Sequence, residues 1–499
     1  MHPSSPPCRP LALALALWTG ACGTSGDESA GPPGAGSDAG TDTGSDTTSD
    51  TISDDAPLDS LTDAAWPDAP PDASPDAPIE ANPADATEDV AESGPAGKPR
   101  LWVFLLAGQS NMVGLGYNGQ LTGADANPVD GVWIYYNGSI HPNANALQWK
   151  QLAPGFGATE DRFGPELAFG QRMHELWPTR SIAVIKVAEG GTALHDRWAA
   201  GTGDLYLLLL SEIQAQLAAL QQDWRPQIAG LVWMQGESDA IQESTANAYL
   251  NHLAAFMTSV RSSLGVAVLP TTAGLIYSNA GLWPYAATVR NSTAALAGAL
   301  GQMDVVETND LSVHADDLAH YDSASTVTLG RRFADATAGM LAEEWHFPEG
   351  FSGVQGDHFW TYRSRAGGAM TPMTWDTAQT RWQGSEPWVL IGPGWMHPGP
   401  TEQAELGWWA PYAGRVAVDC VVTDGDTGGG DGVVVEVALG QQTVWGPVTI
   451  PNGGSSQASF EVDVVQGAEL MFRTSSGAAQ DGFNDATVWD VDVRMVNVE

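Results

Sequence analysis

Leu101-Trp102-Val103-Phe104-Leu105-Leu106-Ala107 is continuously apolar and runs directly into Gly108-Gln109-Ser110-Asn111-Met112. A short apolar run without alternation marks a strand buried on both faces of a parallel sheet. Similar runs recur at 182–187 (IAVIKV), 228–234 (IAGLVWM) and 266–269 (VAVL). Helix-like stretches lie between and after them, at 165–177, 205–221, 240–264, 282–300 and 324–345. Strands alternating with helices predict an α/β fold whose parallel sheet is covered on both faces. Ligands of such sheets bind beyond the carboxyl ends of the strands, so chemistry is sought in the segments that follow them.

Three segments carry it. Ser110 falls between a strand end and a helix start, which sets its hydroxyl at the open edge of the sheet. Its own N–H can join an oxyanion site there; the plainer alternative is a helix cap. After 228–234 comes Gln235-Gly236-Glu237-Ser238-Asp239, where the Gln235 amide can donate to an oxyanion and Glu237 sets a carboxylate beside it. A polar loop capping the next helix is the alternative. Ahead of the last helix stands Asp317-Leu318-Ala319-His320. A carboxylate three residues before a histidine can fold back onto one ring nitrogen, fix the tautomer and leave the other nitrogen as a base. His314, with Asp310 four residues before it, is a rival. Gly114-Leu115-Gly116-Tyr117-Asn118-Gly119 fits G-x-G-x-x-G, but it starts several residues past the strand and opens no helix, which argues against a dinucleotide site.

The blocks GQSNM (108–112), GPELAFG (164–170), Gly190-Gly191, WMQGESD (233–239), and DLAH (317–320) followed by LGRR (329–332) occur in a fixed order. Together they resemble the SGNH-type carbohydrate esterases that include sialate O-acetylesterases and acetylxylan esterases. The resemblance implies an SGNH-hydrolase (flavodoxin-like) three-layer α/β/α domain with a parallel sheet. It implies Ser110 as nucleophile, His320 as general base and Asp317 as the residue that orients His320, with Glu237 as the alternative acid partner. The implied oxyanion hole combines the Ser110 N–H, the Gly164 N–H and the Gln235 side chain. The reaction would be removal of acetyl groups from sugar hydroxyls, on acetylxylan, a related glycan or sialate, with no cofactor or metal. Two alternatives remain: a small-molecule or lipid ester hydrolase on the same scaffold, and a surface glycan-binding protein with an inactive esterase domain. Gly191 and Trp198 are the residues expected to touch substrate. His195, Trp133, Tyr135, Tyr136 and Trp149 could line the same pocket, although core packing explains most of them equally well.

Charge places the rest of the chain. The 499 residues hold 20 Lys+Arg against 60 Asp+Glu, a net −40, and 18 of the acidic residues fall between 23 and 97, where no Lys or Arg occurs. No basic patch for nucleic acid or anionic lipid is expected from such a balance. Residues 11–18 (LALALALW), after Arg9, are too short to span a bilayer, which needs about 20 apolar residues. With Thr19-Gly20-Ala21-Cys22 they resemble a bacterial lipobox, Thr19 standing where Leu is usual. Residues 1–22 are therefore expected to be a lipoprotein-type signal with lipidation at Cys22. The protein is then a cell-envelope lipoprotein, touching membrane only through its anchor; a secreted soluble protein is the alternative. Residues 23–98, rich in Pro, Asp and Ala, are expected to be a disordered acidic linker.

The esterase domain is expected over 99–346 and an all-β sandwich over 347–499, where valine-rich segments at 415–422, 433–439, 458–465 and 488–496 are parted by Gly, Asn and Asp turns. Nine tryptophans follow His346. They could grip a glycan or pack the sandwich. The stretch 424–431 (DGDTGGGD) reads as a glycine-rich hairpin tip in preference to a Ca²⁺ loop. Cys420 reads as a small buried apolar residue in a strand.

Overall fold

The computed structural model describes residues 98–496 apart from 139–142, 427–428, 479, 481 and 483. The expected signal, the lipidation site at Cys22 and nearly all of the acidic linker lie outside the described residues. Among the described residues no helix is long and apolar enough to cross a membrane.

The opening strand is β1 (Arg100–Gly108), and every residue from Leu101 to Gly108 is buried. Successive side chains of a strand point to opposite faces, so both faces of β1 must be covered. The sheet around it also holds β2 (Val132–Asn137), β3 (Lys150–Gln151), β4 (Ile182–Ala188), β5 (Arg225–Met234), β6 (Thr271–Gly274) and β7 (Met303–Val306). Their order is β3-β2-β4-β1-β5-β6-β7, parallel throughout except for the antiparallel edge strand β3. The connecting helices are α1 (Ser110–Val113), α2 (Pro165–Leu176), α3 (Asp204–Leu220), α4 (Glu243–Ser263), α5 (Ala286–Ala297) and α6 (Ser323–Met340).

Several expectations shift. The strand expected at 266–269 forms a few residues later, as β6; Val266, Val268 and Leu269 are buried in a loop that ends at Pro270, whose carbonyl accepts the Leu231 N–H. Strands β2 and β7 were not expected: β2 is an apolar, aromatic run (VWIYY) in which only Trp133 is exposed, and β7 is four residues long with Asp304 inside it. Helix α6 stops at Met340 because Leu341 is extended, and Glu344–Phe347 forms β8, paired antiparallel with Val491–Arg494. The boundary expected after 346 thus falls inside a strand.

Beyond β8 the chain is all β. An eight-stranded sheet places Gly414–Asp424 between Ser455–Val464 and Thr487–Val496, and a six-stranded sheet places Glu402–Trp409 between Trp360–Ala366 and Glu469–Ser476. Alternate residues of Thr487–Val496 are buried, the pattern of a strand with one wet face. The sheets meet through Phe472 and Trp489, with ring centroids 5.8 Å apart, and through Trp345 and Trp408 at 5.0 Å. Trp360, Trp382, Trp408 and Trp489 are buried packing residues, whereas Trp388 is 62% exposed. Cys420 is buried, and burial pushes its thiol up to about 11. At the expected hairpin tip, the carboxylates of Asp424 and Asp426 accept the backbone N–H groups of Asp426 and Ala486.

The β-rich part docks on the amino ends of the parallel strands. Tyr412 stacks on Trp102 at 5.6 Å, and Gln227 Nε2 donates to the Ala413 carbonyl at 2.9 Å. β5 shifts register against β1 between the Val103–Ile228 and Phe104–Gly230 pairs. Gln466 fills that irregularity, accepting the Ile228 N–H and donating to the Ile228 carbonyl. The carboxyl ends of the strands are thereby left clear.

Candidate active site

Three loops meet where β4, β1 and β5 end. Gly108, at φ +150°, approaches β5 so closely that a Cβ would lie 2.0 Å from the Met234 carbonyl oxygen, so only glycine fits before the turn into α1. Ser110 is the first residue of α1 and is half-buried. No group of the fold accepts its N–H among the described residues. The β4 loop crosses beside it, and a Cβ on Gly190 would lie 3.5 Å from the Ser110 Cβ.

The next residue, Asn111, ties this turn to the loop ahead of α6. Its Nδ2 donates to the Ala319 carbonyl at 3.4 Å, and its Oδ1 accepts the Tyr321 N–H at 3.2 Å. Asn111 therefore clamps both neighbours of His320, which fixes the histidine's backbone relative to Ser110. The clamp is itself held by Glu237, whose Oε1 accepts from Asn111 Nδ2 at 2.9 Å.

His320 meets the acid three residues before it, with Nδ1 2.8 Å from Asp317 Oδ2. The turn is made by Leu318, which takes a left-handed φ of +57° and leaves its side chain exposed. Asp317 Oδ1 accepts the N–H groups of Ala319 and His320 at 2.8 and 3.0 Å. Burial works to raise the Asp317 pKa, but these bonds and the imidazole outweigh it and hold the carboxyl below its ordinary range. The rival histidine is disposed of: Asp310 forms a two-point pair with Arg332 that pulls its carboxyl down to about 2, and His314 Nε2 faces the Leu115 carbonyl at 3.2 Å.

Four expectations are corrected by hydrogen-bond accounting. Glu237 makes no hydrogen bond to His320 among the described residues; it is fully buried on Asn111, its Oε2 has no partner, and burial pushes its pKa up. The Gly164 N–H, expected in the oxyanion hole, is taken by Glu166 Oε1 at 2.8 Å. The Gln235 amide, expected beside it, is also spent: Nε2 donates to Asp239 Oδ2 at 2.7 Å and to the Thr192 carbonyl at 2.9 Å, and Oε1 accepts from Tyr249 at 3.1 Å. Trp198 is fully buried against Trp233 and Phe256, with its indole N–H on Thr192 Oγ1, so it packs the core instead of facing substrate. Gly191, by contrast, is exposed at φ +71°, and a Cβ there would meet nothing.

Sequence reasoning missed the support beneath Ser110. Lys186, inside the apolar strand β4, and Glu166, in the first turn of α2, form a fully buried ion pair at 2.7 Å. Lys186 also donates to the Val113 carbonyl at the end of α1 (2.8 Å) and to the Phe156 carbonyl (2.9 Å), while Glu166 holds the Gly164 N–H. Burial lowers the Lys186 pKa, opposed by Glu166. The only sequence signal was a lysine in an otherwise apolar strand. Among the described residues, no three His, Cys, Asp or Glu side chains converge as a metal site would require.

Comparison with known proteins bears on the residues that build the α/β part. Residues 100–339 match the family model described as "carbohydrate esterase, sialic acid-specific acetylesterase". A probable carbohydrate esterase of Arabidopsis thaliana is 26% identical over 250 residues, spanning 47% of this chain and 89% of the relative. An X-ray structure of an Arabidopsis thaliana protein aligns with 48% of this chain and 99% of its own, at 22% identity and a TM-score of 0.41. A carbohydrate acetylesterase from Xanthomonas citri aligns over 77% of each chain, at 17% identity and a TM-score of 0.36. The family match over residues 100–339 bears out the resemblance read from the motifs.

Proposed function

We propose that the protein removes acetyl groups from sugar hydroxyls by a Ser110–His320–Asp317 acyl-enzyme mechanism. The observation that carries this reading is the Asn111 clamp, which ties the turn bearing Ser110 to the backbone on either side of a histidine whose Nδ1 is fixed by Asp317. In its neutral form His320 has Nδ1–H on the carboxylate and the lone pair on Nε2. Nε2 takes the Ser110 proton as Oγ attacks the acetyl carbonyl. The Ser110 N–H and the backbone N–H groups of the Gly190-Gly191 turn take the place proposed by resemblance for Gly164 and Gln235. They stabilise the tetrahedral oxyanion, and one such donor is worth about 3 kcal/mol. The protonated histidine then returns its proton to the departing sugar oxygen, and water hydrolyses the acetyl-enzyme by the same steps in reverse.

The substrate class follows from the family match to residues 100–339, and the net charge of the chain from Lys98 onward favours a neutral glycan such as acetylxylan over a polyanionic one. Trp388, exposed on the β-rich part, supplies an aromatic face that a polysaccharide can stack on. The N-terminal residues fit a lipid anchor at Cys22 and an acidic tether, which would hold the enzyme at a bacterial cell envelope. The test is acetate release from acetylated xylan, O-acetyl sialic acid and a triacylglycerol in parallel. The proposal expects release from a sugar ester; turnover of the lipid alone would overturn it.

A further inference from the structure

A second imidazole–carboxylate couple stands at the same edge of the sheet. His195 Nδ1 lies 2.7 Å from Asp239 Oδ1. Asp239 is fixed by further donors: the Leu194 N–H at 2.7 Å, the His195 N–H at 3.3 Å and the Gln235 amide at 2.7 Å. Its side chain is 1% exposed, whereas that of His195 is 38% exposed. His195 lies on the loop after β4 and Asp239 on the loop after β5, and these strands flank β1, whose end carries Ser110. The β4 loop is the one that brings Gly190 against Ser110.

The Asp239 carboxylate has enough N–H donors without the ring, so a stabilising role for the carboxylate does not require a histidine here. What the histidine adds is its outer nitrogen. With Nδ1–H held by the carboxylate, the neutral ring keeps its lone pair on Nε2 as an oriented acceptor; no hydrogen bond of the fold reaches Nε2 among the described residues, and the His252 ring lies beside the imidazole at 6.4 Å. An ester carbonyl offers nothing to such an acceptor, but a sugar hydroxyl does.

We propose that His195 contacts substrate, its Nε2 accepting a hydrogen bond from a free hydroxyl of the sugar that bears the acetyl group, with Asp239 as the positioning residue behind it. The assignment rests on the acetylesterase reading above and deepens it by naming a residue that distinguishes an acetylated sugar from a simple acetate ester.

The experiment compares wild type, H195A and H195N on mono-O-acetylated xylotriose, O-acetyl sialic acid and 4-nitrophenyl acetate. Asparagine can keep an N–H on Asp239 but has no outer nitrogen. Both variants are expected to raise KM for the sugar ester that the wild type cleaves by about tenfold, with a smaller change in kcat, and to lower the ratio of kcat/KM on that sugar to kcat/KM on 4-nitrophenyl acetate by a similar factor. Recovery of wild-type KM in H195N would make the histidine structural and overturn the assignment. An unchanged ratio in both variants would overturn it too, leaving the acetylesterase reading intact. A wild type that cleaves 4-nitrophenyl acetate but neither sugar ester would overturn that reading, and the assignment with it.

Discussion

The molecule carries two His–Asp couples at one sheet edge, built in opposite ways. In His320–Asp317 both members sit on one loop, three residues apart, with side chains 24% and 31% exposed. In His195–Asp239 the members come from two loops 44 residues apart in sequence, and the acid is sealed inside. The first acid keeps contact with solvent and can compensate a histidine that gains and loses charge. The second is saturated by fixed donors and suits a ring that keeps one orientation. A histidine–carboxylate contact alone therefore does not identify a general base. What singles out His320 is the Asn111 clamp that ties its neighbours to the Ser110 turn.

The widest gap should appear on the histidines. H320A is expected to lower kcat/KM on 4-nitrophenyl acetate by roughly a thousandfold or more, the scale for losing a triad base, whereas H195A acts mainly through the sugar KM. A comparable loss in H195A would reverse the two roles. D317N should follow, with a fall of roughly a hundredfold to ten-thousandfold in kcat, because the amide no longer fixes the His320 tautomer. D239N is instead expected to show as stability: an amide NH₂ set against fixed N–H donors costs about 1–3 kcal/mol, read as the denaturant midpoint.

The support under Ser110 gives a stability effect that the couples do not. E166Q or K186M leaves one buried charge without its partner and should cost about 3–5 kcal/mol in chemical unfolding. A cost below about 1 kcal/mol would mean that the pair is not sealed from water. The smallest effect concerns pH. Asp317 has a depressed folded-state pKa, so its contribution to stability is present above the unfolded carboxyl value and fades as pH falls through the folded one. D317N should therefore flatten the acidic limb of the stability–pH curve.

Much of this was legible in the sequence because it was local. The apolar run 101–107 followed by Gly108 and Ser110 announced a buried strand and a residue at its open end, and the spacing of Asp317 and His320 announced a couple. Residues joined only by the fold were not legible. Lys186 and Glu166 are 20 positions apart, on a strand and a helix. His195 and Asp239 belong to different loops, and Asn111 reaches residues more than 200 positions away. Family motifs named Gly164 and Gln235 as donors, but whether a donor is free is a matter of hydrogen-bond accounting in three dimensions, and both are spent inside. Trp198 shows the same limit: an aromatic after a glycine pair reads equally as pocket or as core, and its burial decides for core.

The central claim is that Ser110 attacks an acetyl ester and carries the acetyl group. The most direct measurement is acetate release by wild type and by S110A from the same acetylated xylan, with the folding of S110A checked by circular dichroism. Steady release by the wild type and release at the uncatalysed background by a folded S110A are expected. Wild-type release by S110A would contradict the claim.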